Sequence, residues 1–466
     1  MTAVPHPVSR LRERRERAAR AWNVHRGVVL APAGLPVPIV GTDLFHDFHA
    51  HAEHYYLSGL AHPGAVLAFD PAEGWLLFTP QISIEEQVWT NASEPLESQK
   101  ERSGVDRVYE ISELRSWLER HRGDAVAVVG NHDLLHNPAG YGIESWDALE
   151  LDVDEELSEH CSNVLSESRR AKDDAEIQAM RAAADASVAG HFLGIRHVRP
   201  GMTERQLQIE IEAEFFRNGS PRTAYGSIVG GGPNGAVLHF APSSRHFADG
   251  EIILVDAGAE IDGYASDVSR TFPAGRSFTP HQADMYDLVL ATQQRAIDNA
   301  RPGVEYKDLH LRAALDIATG LRDLGILRGD PEALVDSDAH ALFFPHGLGH
   351  MLGLATHDAG GCLAGREPSD RFGLKYLRAD LPLQPGYVVT IEPGIYFIRA
   401  LLTDPERREK YRDAVNWERV DAMLDFGGIR IEDDVLITDD GAELLSGALP
   451  RDRAGIEELR REGLES

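Results

Sequence analysis

Two stretches of the chain contain the same features in the same order, and this duplication constrains the fold more strongly than any other property of the sequence. Arg-Pro-Gly occurs at 199–201 and again at 301–303, and each copy precedes a helical pattern of apolar residues. In the first copy Thr203 and Gln206 form a capping box, which predicts that a helix begins there. Two copies of one helix-containing unit predict a pseudo-symmetric domain.

Each copy continues with a turn glycine, an apolar strand and an acidic residue. Gly250 precedes Asp256 by six residues, and Gly386 precedes Glu392 by the same six residues. Each unit therefore delivers one carboxylate at the end of a strand. We predict an α/β domain with a functional site on its central axis.

The length of the chain predicts two domains. At 466 residues it is too long for one ordinary core. Residues 1–168 alternate short apolar runs, such as 27–32 and 64–69, with helical patterns, which predicts a small N-terminal α/β domain. A charged stretch at 166–176 leads into a long helical pattern, so the second and larger domain is expected over 169–466.

The charge and cysteine content restrict the partners. The formal net charge is −29, from 75 acidic against 46 basic residues, which argues against nucleic-acid and membrane partners and favours a small substrate. Two cysteines far apart in sequence indicate neither a disulfide scaffold nor a thiolate zinc site. No signal-peptide pattern or membrane-length apolar stretch is recognisable, so a cytoplasmic protein is expected.

Acidic residues occur at several strand ends in the second domain. Asp256 and Asp267 flank a hairpin-turn signal, which predicts that their carboxylates fold back towards each other. Glu392 ends a predicted strand, and the alternation in 428–432 puts Arg430 and Glu432 on one face. Each acid alone is more often a turn or solvated residue, but their joint occurrence in matched repeats favours a shared site.

Convergence of these acids predicts bound metal. Four carboxylates in one pocket repel one another and raise one another's pKa unless cations neutralise them. His350, in His-Gly-Leu-Gly-His at 346–350, adds one imidazole. An oxygen-rich set with one imidazole suits manganese or a similar ion, and bridging carboxylates hold two ions roughly 3.5 to 4 Å apart, where they activate one water.

An ordered set of motifs resembles the aminopeptidase P and prolidase branch of the pita-bread metallopeptidases. The matching segments cover about residues 170–450: Asn-Gly-Ala-Val-Leu-His-Phe at 234–240, the hairpin at 256–267, Pro-His-Gly-Leu-Gly-His at 345–350, His-Asp at 357–358, Thr-Ile-Glu-Pro-Gly at 390–394 and Gly-Ile-Arg-Ile-Glu-Asp at 428–433. The N-terminal domain resembles that of the family more weakly, most clearly at 54–60. The resemblance implies a pita-bread second domain with an internal pseudo-twofold repeat.

The same resemblance implies specific roles for the matching residues. The metal ligands are expected to be Asp256, Asp267, His350, Glu392 and Glu432, with Asp267 and Glu432 bridging two divalent ions, most often Mn²⁺, with Zn²⁺ or Co²⁺ as alternatives. His239 and His357 are expected to bind the substrate and stabilise the tetrahedral intermediate, His346 and Tyr396 to border a proline pocket, and Arg430 to support the metal carboxylates. Glu392 is the expected proton carrier. The reaction implied is hydrolysis of an N-terminal Xaa-Pro bond, and a homodimer is expected.

The sequence leaves two substrate lengths open. Gly-Leu-Lys-Tyr-Leu-Arg at 373–378 resembles a segment of prolidases in which an arginine pairs with the free carboxylate of a dipeptide, and Arg378 takes that position. A surface arginine in a basic loop is an equally good interpretation. We expect an Xaa-Pro dipeptidase, with an Xaa-Pro aminopeptidase acting on longer peptides as the alternative.

Three other protein classes with this fold agree less well with the sequence. A catalytically dead peptide-binding module shares the fold but lacks the ligands, whereas all five ligand positions are acidic or histidine here. Methionine aminopeptidases lack the first domain and carry a glutamate-rich motif where this chain has Asp358-Ala359. Creatine-type amidinohydrolases function without the metals, so the five ligands argue against that class as well.

Overall fold

The chain forms two compact units. The computed structural model describes residues 6–130 and 133–465. The units are Met1–Arg169 and Arg170–Ser466. No helix in the described part of the chain is both long and apolar enough to cross a membrane.

The first unit is built around one mixed sheet. Its strand order is β4-β3-β2-β1-β5, with β1–β2 and β2–β3 antiparallel and β1–β5 and β3–β4 parallel. The helices are α1 (Val8–Trp22), α2 (Ala52–Ser58), α3 (Leu96–Ser103), α4 (Leu114–Glu119), α5 (Asp133–His136), α6 (Trp146–Leu149) and α7 (Glu155–Ser168). The strands are β1 (Val28–Pro32), β2 (Val66–Asp70), β3 (Gly74–Thr79), β4 (Arg107–Glu110) and β5 (Val126–Val128).

The apolar runs of the N-terminal sequence explain this sheet. All five residues of β1 are buried, and so are all three of β5, as expected for strands that are covered on both faces. Leu30, Leu76 and Phe78 pack with Trp117 of α4 in one apolar core. Burial of such large side chains contributes about 1.5 to 3 kcal/mol each, which makes this core the main source of the unit's stability.

The second unit contains α8 to α16 and β6 to β16. The helices are α8 (Asp174–His197), α9 (Glu204–Arg217), α10 (Pro280–Asn299), α11 (Tyr306–Asp323), α12 (Pro331–Asp336), α13 (Arg399–Leu402), α14 (Pro405–Lys410), α15 (Trp417–Asp421) and α16 (Arg453–Glu465). The strands are β6 (Arg222–Thr223), β7 (Ile228–Gly231), β8 (Ile252–Asp256), β9 (Ala259–Ile261), β10 (Tyr264–Ala265), β11 (Ser269–Pro273), β12 (Val388–Ile391), β13 (Gly394–Tyr396), β14 (Gly428–Arg430), β15 (Asp433–Ile437) and β16 (Ala442–Leu444).

The predicted duplication corresponds to two helix pairs, each followed by a strand that leads to an acid. In the first copy the capping box of Thr203 and Gln206 begins α9, as predicted, and β8 ends at Asp256. In the second copy α11 begins at Tyr306, a few residues after the Arg-Pro-Gly motif, and its N-cap makes no side-chain hydrogen bond. The strand β12 ends directly before Glu392. Local capping therefore differs between the copies while the order of elements is the same.

The sheets of the two copies meet at the acidic residues. The first copy contributes the sheet β11-β8-β7, and the second contributes β12-β15-β16. A single β-bridge joins Ser269 of β11 to Glu432, whose backbone N–H donates to the Ser269 carbonyl over 3.1 Å. The buried Arg270 donates to the Glu432 carbonyl over 2.7 Å and binds Asp433. This junction fixes the backbone on which the functional side chains lie.

Candidate metal centre and pocket

A tight hairpin brings the two aspartates of the first copy together. Strands β9 and β10 are joined by Asp262 and Gly263, with φ values of 52° and 82°. Positive φ at both central residues is the geometry of a type I′ hairpin turn, which an Asp-Gly pair adopts readily. The Tyr225 hydroxyl lies 2.6 Å from a carboxylate oxygen of Asp256 and 2.6 Å from one of Asp267.

The second copy adds two glutamates and a histidine. The Glu392 backbone N–H donates to the Leu348 carbonyl over 2.8 Å, which ties the strand end to the histidine loop. His350 Nδ1 lies 3.0 Å from the Met351 carbonyl. This contact assigns the proton to Nδ1 and leaves Nε2 as the ligand atom. Nε2 lies 3.4 Å from Asp267 Oδ2 and 3.7 Å from Glu392 Oε1.

Ligand atoms of one side-chain group lie close enough to hold a single ion. One atom each of Asp267, His350 and Glu432 lie within 4.8 Å of one another, and all three residues are buried. Asp256 reaches this group through the shared Tyr225 hydroxyl. Glu392 reaches it through His350.

Burial raises the pKa values of three acids in this group. Burial, together with neighbouring carboxylates, raises the pKa of Asp256 to about 6 and that of Glu392 to about 7, although Arg430 lowers both. The pKa of Glu432 is raised well above its ordinary value, by burial and then by the charges of Asp267 and the other acids.

The pKa values of His350 and Asp267 shift in the directions that favour their charged forms. Burial would lower the pKa of His350, but its hydrogen bond to Asp267 and the charges of Asp267 and Glu392 raise that pKa to about 9. Burial would raise the pKa of Asp267, but His350, Tyr225 and Arg430 bring it below its ordinary value. In the metal-free protein His350 is therefore protonated at neutral pH, and its positive charge faces Asp267 and Glu392.

The donor set fits hard or borderline divalent ions. It consists of carboxylate oxygens and one imidazole nitrogen, without a thiolate, which is the chemistry preferred by manganese and tolerated by zinc or cobalt. Buried acids with raised pKa values gain free energy when a cation replaces their protons. The raised pKa values of Asp256, Glu392 and Glu432 therefore favour a bound divalent cation over protons at these carboxylates.

Arg430 connects the metal carboxylates to the pocket wall. Its guanidinium binds Asp256 by Nη2, donates to the Ser269 hydroxyl over 2.8 Å by Nε and donates to the Tyr396 hydroxyl over 2.8 Å by Nη1. The Ser269 hydroxyl in turn donates to Glu432 Oε2 over 2.6 Å. A planar guanidinium with three fixed partners orients both carboxylates.

A cavity of about 310 Å³ opens above the acids. Ten of the eleven site residues predicted from the sequence line it: His239, Asp256, Asp267, His346, His350, His357, Arg378, Glu392, Arg430 and Glu432. Tyr396 does not, because it is fully buried behind His346, whose Nε2 lies 2.9 Å from its hydroxyl. Its hydroxyl thus supports the His346 ring, and its predicted place at the border of a proline pocket stays a prediction.

Three histidines surround the mouth of the cavity. His346 packs edge-on against Phe344, with ring centroids 5.0 Å apart. Burial and the charge of Arg430 lower the pKa of His346 to about 3, so its ring is neutral at physiological pH. His357 packs edge-on against His350, with centroids 4.4 Å apart, and burial together with the charge of His350 lowers its pKa to about 4. His239 lines the same cavity.

Three residues of the site were not predicted from the sequence. Tyr225 and Ser269 bind carboxylates of the candidate metal centre, and Tyr376, within the segment 373–378, lines the cavity with 55% of its surface exposed. Tyr225 lies in the short segment between β6 and β7, outside every quoted motif. Ser269 lies two residues after Asp267, the last residue of the hairpin motif. On an alternating strand these two side chains lie on the same face, which was the sequence feature that pointed to Ser269.

The sequence matches two described protein families. Residues 178–439 match Metallopeptidase family M24, and residues 11–128 match Aminopeptidase P, N-terminal domain. A curated relative described as "Probable Xaa-Pro aminopeptidase pepP" of Aspergillus fumigatus is 32% identical over 446 residues, which cover 93% of this chain and 92% of that protein.

Solved structures show the same fold over the whole chain. The aminopeptidase PepP of Pseudomonas aeruginosa superposes with a TM-score of 0.81 and 30% identity, covering 99% of both chains. Aminopeptidase P from E. coli with the inhibitor Pro-Leu superposes with a TM-score of 0.81 and 28% identity, covering 99% of this chain and 100% of that one.

Proposed function

This chain belongs to metallopeptidase family M24, and from that membership we propose that it is an Xaa-Pro aminopeptidase, which removes the N-terminal residue in front of a proline. The observation that carries the proposal is the convergence of four acids and His350 beneath a cavity ringed by three further histidines. The named relatives are Xaa-Pro aminopeptidases or aminopeptidase P. They favour the aminopeptidase alternative over the dipeptidase that the sequence led us to expect.

We propose that the site holds two divalent ions, of which Mn²⁺ suits the donors well, with Zn²⁺ or Co²⁺ as alternatives. Asp267 and Glu432 are the proposed bridging ligands. Asp267 shares the Tyr225 hydroxyl with Asp256 on one side and contacts His350 on the other, which supports that role. Held by these residues, divalent ions would supply Lewis-acid polarisation of the scissile carbonyl and would lower the pKa of the attacking water.

Glu392 is the proposed proton carrier of the site. Its side chain is 18% exposed, against 12% for Asp256, 7% for Asp267 and 2% for Glu432. The most accessible of the four carboxylates is the one that reaches both a water in the cavity and the nitrogen of the leaving proline. In this proposal Glu392 is both a metal ligand and the proton carrier, and the other three carboxylates are ligands alone.

His239, His346 and His357, which line the cavity, are the proposed source of hydrogen bonds and of a wall for the proline ring. His239 and His357 line the cavity on the substrate side and are the proposed donors to the carbonyl oxygen as its negative charge develops. The His346 ring, backed by Phe344 and Tyr396, offers a rigid surface against which a proline ring packs. Its lowered pKa keeps this wall uncharged at neutral pH.

Arg378 is compatible with both substrate lengths in this proposal. It lies on an exposed stretch at the cavity mouth beside Tyr376. A guanidinium at that position is accessible both to the carboxylate of a dipeptide and to backbone carbonyls of a longer peptide. We therefore assign it a supporting contact to peptides of either length, without the exclusive grip on a free carboxylate that a dipeptidase requires.

The test compares Ala-Pro, Ala-Pro-Ala and Ala-Ala-Ala as substrates of the metal-loaded protein, with bound metal measured by elemental analysis. We expect kcat/KM to be highest for the tripeptide that contains proline and negligible for Ala-Ala-Ala. Faster hydrolysis of Ala-Pro than of Ala-Pro-Ala, abolished in Arg378→Ala, contradicts the aminopeptidase assignment. No cleavage of either proline peptide contradicts the proposed function altogether.

We also propose that the protein is a homodimer, in line with the resemblance of its sequence. Light scattering of the purified chain measures its mass in solution and tests this directly. A monomeric mass at micromolar concentration rejects the dimer.

A further inference from the structure

Two buried cations at the start of the second unit contact the loop that carries His357. Arg170 is 7% exposed and Lys172 is 6% exposed, so both side chains lie inside the protein. The backbone between them forms a β-bridge from Ala171 to Tyr387, and the Lys172 N–H donates to the Gly386 carbonyl over 2.8 Å. The two cations are therefore anchored at the beginning of β12, the strand that leads to Glu392.

Both side chains reach the same loop, residues 357–362. Lys172 Nζ lies 3.0 Å from Asp358 Oδ2, and each side chain of this pair is 1% exposed. Arg170 donates from Nε to the Gly360 carbonyl over 2.7 Å and from Nη2 to the Cys362 carbonyl over 2.9 Å. We call Arg170 and Lys172 the cationic clamp.

The packing around the ion pair leaves little room for rearrangement. A Cβ added at Gly353 would collide with the Asp358 carboxylate and approach Lys172 Cε to 2.8 Å. The Asp358 N–H donates to the Met351 carbonyl over 2.9 Å. The same carbonyl accepts from His350 Nδ1, so one backbone oxygen links the clamp to the metal ligand.

The far end of the loop is held independently. The Asp380 N–H donates to the Gly361 carbonyl over 2.7 Å, and the Leu363 N–H donates to the Asp380 carbonyl over 3.0 Å. Lys172 acts at Asp358, directly after His357, and Arg170 acts further along the loop at Gly360 and Cys362. Loss of the clamp therefore leaves the loop with its backbone hydrogen bonds alone, and next to His357 the bond from Asp358 to Met351 is the one that remains.

Stability alone is a weak reason for such an arrangement. A buried ion pair gains little net free energy, because removing both charges from water costs about as much as their attraction returns. A pair with fixed geometry does, however, define where its backbone lies. That is useful where a side chain must meet a substrate atom, since a displacement of about 1 Å at a reacting centre can cost about 100-fold in rate.

We infer that Arg170 and Lys172 are positioning residues, which hold the 357–362 loop so that His357 is aimed at the scissile carbonyl oxygen. The inference rests on the proposed function, because it is through Xaa-Pro hydrolysis that His357 acts. The clamp residues do not touch the substrate themselves. They act through Asp358, Gly360 and Cys362 on the orientation of His357.

The test uses Arg170→Met and Lys172→Met, with Arg460→Met as the matched control. Arg460 is likewise a buried arginine that donates to backbone carbonyls, those of Ile195, Ala274 and Gly275. Because misplacement of His357 affects charge that develops in the transition state, we expect kcat to fall about 10- to 100-fold and KM to change less than about threefold in the clamp variants. Bound metal stays at the wild-type level, and Arg460→Met keeps wild-type kcat.

Two further readouts separate positioning from general damage. In a His357→Ala background the clamp substitutions lower kcat no further, because the residue through which they act is already gone. Hydrogen exchange of peptides covering 355–363 accelerates in the clamp variants and not in Arg460→Met. If Lys172→Met does not fold, Asp358→Asn replaces it, since the amide keeps the volume and removes the anionic partner.

Three results overturn the inference: clamp variants with the kcat of Arg460→Met, losses that multiply with that of His357→Ala, or unchanged exchange over 355–363. These are distinct from failure of the proposed function. If the wild-type chain ignores proline peptides, the aminopeptidase assignment fails, while the exchange measurement still decides whether the clamp holds the loop.

Discussion

Replacement of Tyr225 by phenylalanine tests the assembly of the metal centre with the loss of one oxygen atom. The hydroxyl lies 2.6 Å from oxygens of both Asp256 and Asp267, so it contacts two of the proposed metal ligands at once. Burial and the charges of Asp256 and Asp267 raise the pKa of Tyr225 well above its ordinary value. The phenol therefore stays protonated at neutral pH and remains a donor.

The size of the effect follows from the type of hydrogen bond. A hydrogen bond to a charged acceptor contributes about 1.5 to 3 kcal/mol. Part of this is lost in the metal-free protein too, where Asp256, with a pKa raised to about 6 by burial, is partly protonated near neutral pH. The difference between the two states is therefore taken at the lower end of that range, about 1.5 kcal/mol, which is about a 10-fold increase in the metal Kd.

Metal titration by calorimetry at fixed pH measures that Kd directly. Tyr286→Phe is the matched control, because its buried hydroxyl donates over 2.6 Å to the Arg451 carbonyl and contacts no ligand. We expect Tyr286→Phe to lower stability without changing the metal Kd. A wild-type metal Kd in Tyr225→Phe refutes the view that this hydroxyl organises the two aspartates.

Four further perturbations have outcomes that follow from the structure. Stripping the metal with a chelator should lower Tm, because the buried acids then repel one another, and added Mn²⁺ should restore it; an unchanged Tm after verified metal loss contradicts this. Glu392→Gln should lower kcat at least about 100-fold with a normal circular dichroism spectrum, whereas near-normal turnover in excess Mn²⁺ rejects Glu392 as the proton carrier. Gly349→Ala should cost about 1 to 3 kcal/mol and weaken metal binding, since a Cβ there collides with a carbonyl of β12; full stability and affinity in this variant would show that the loop can relax. Burial lowers the pKa of His54, His191 and His310 from 6.5 to about 4, so between these pH values the unfolded chain binds protons that the folded chain does not. As the pH falls from 6.5 to 4, the free energy of unfolding should therefore decrease by up to about 1.4 kcal/mol per pH unit for each histidine. Urea denaturation at pH 7 and 5 measures this decrease, and His54→Gln should reduce it for the first unit.

The family and the fold could be recognised from the sequence because their signals are local. The Asp-Gly turn at 262–263 predicted the hairpin between Asp256 and Asp267, since turn geometry depends on two residues and their φ angles. The capping box at Thr203 predicted the start of α9 for the same reason. The α/β architecture with a pita-bread second domain is confirmed by the family match and by the structural superpositions.

The expected preference for dipeptides had the least support in the sequence. It rested on Arg378 and a short pattern around it, and the same exposed arginine is compatible with longer peptides. The relatives favour the aminopeptidase alternative. The six residues at 373–378 do not show which part of a bound peptide Arg378 contacts.

The acids and histidines of the site, and the strand ends that carry them, could be recognised from the sequence because strand periodicity and turn chemistry act over a few residues. Their contact partners could not, because these come from distant parts of the chain. Tyr225 bridges two aspartates 31 and 42 residues away, Tyr396 lies behind His346 and not in the cavity, and Lys172 meets Asp358 across 186 residues. Such contacts depend on how separate helices and strands pack together. Packing involves the whole unit, so the spacing of residues within one segment does not predict these contacts.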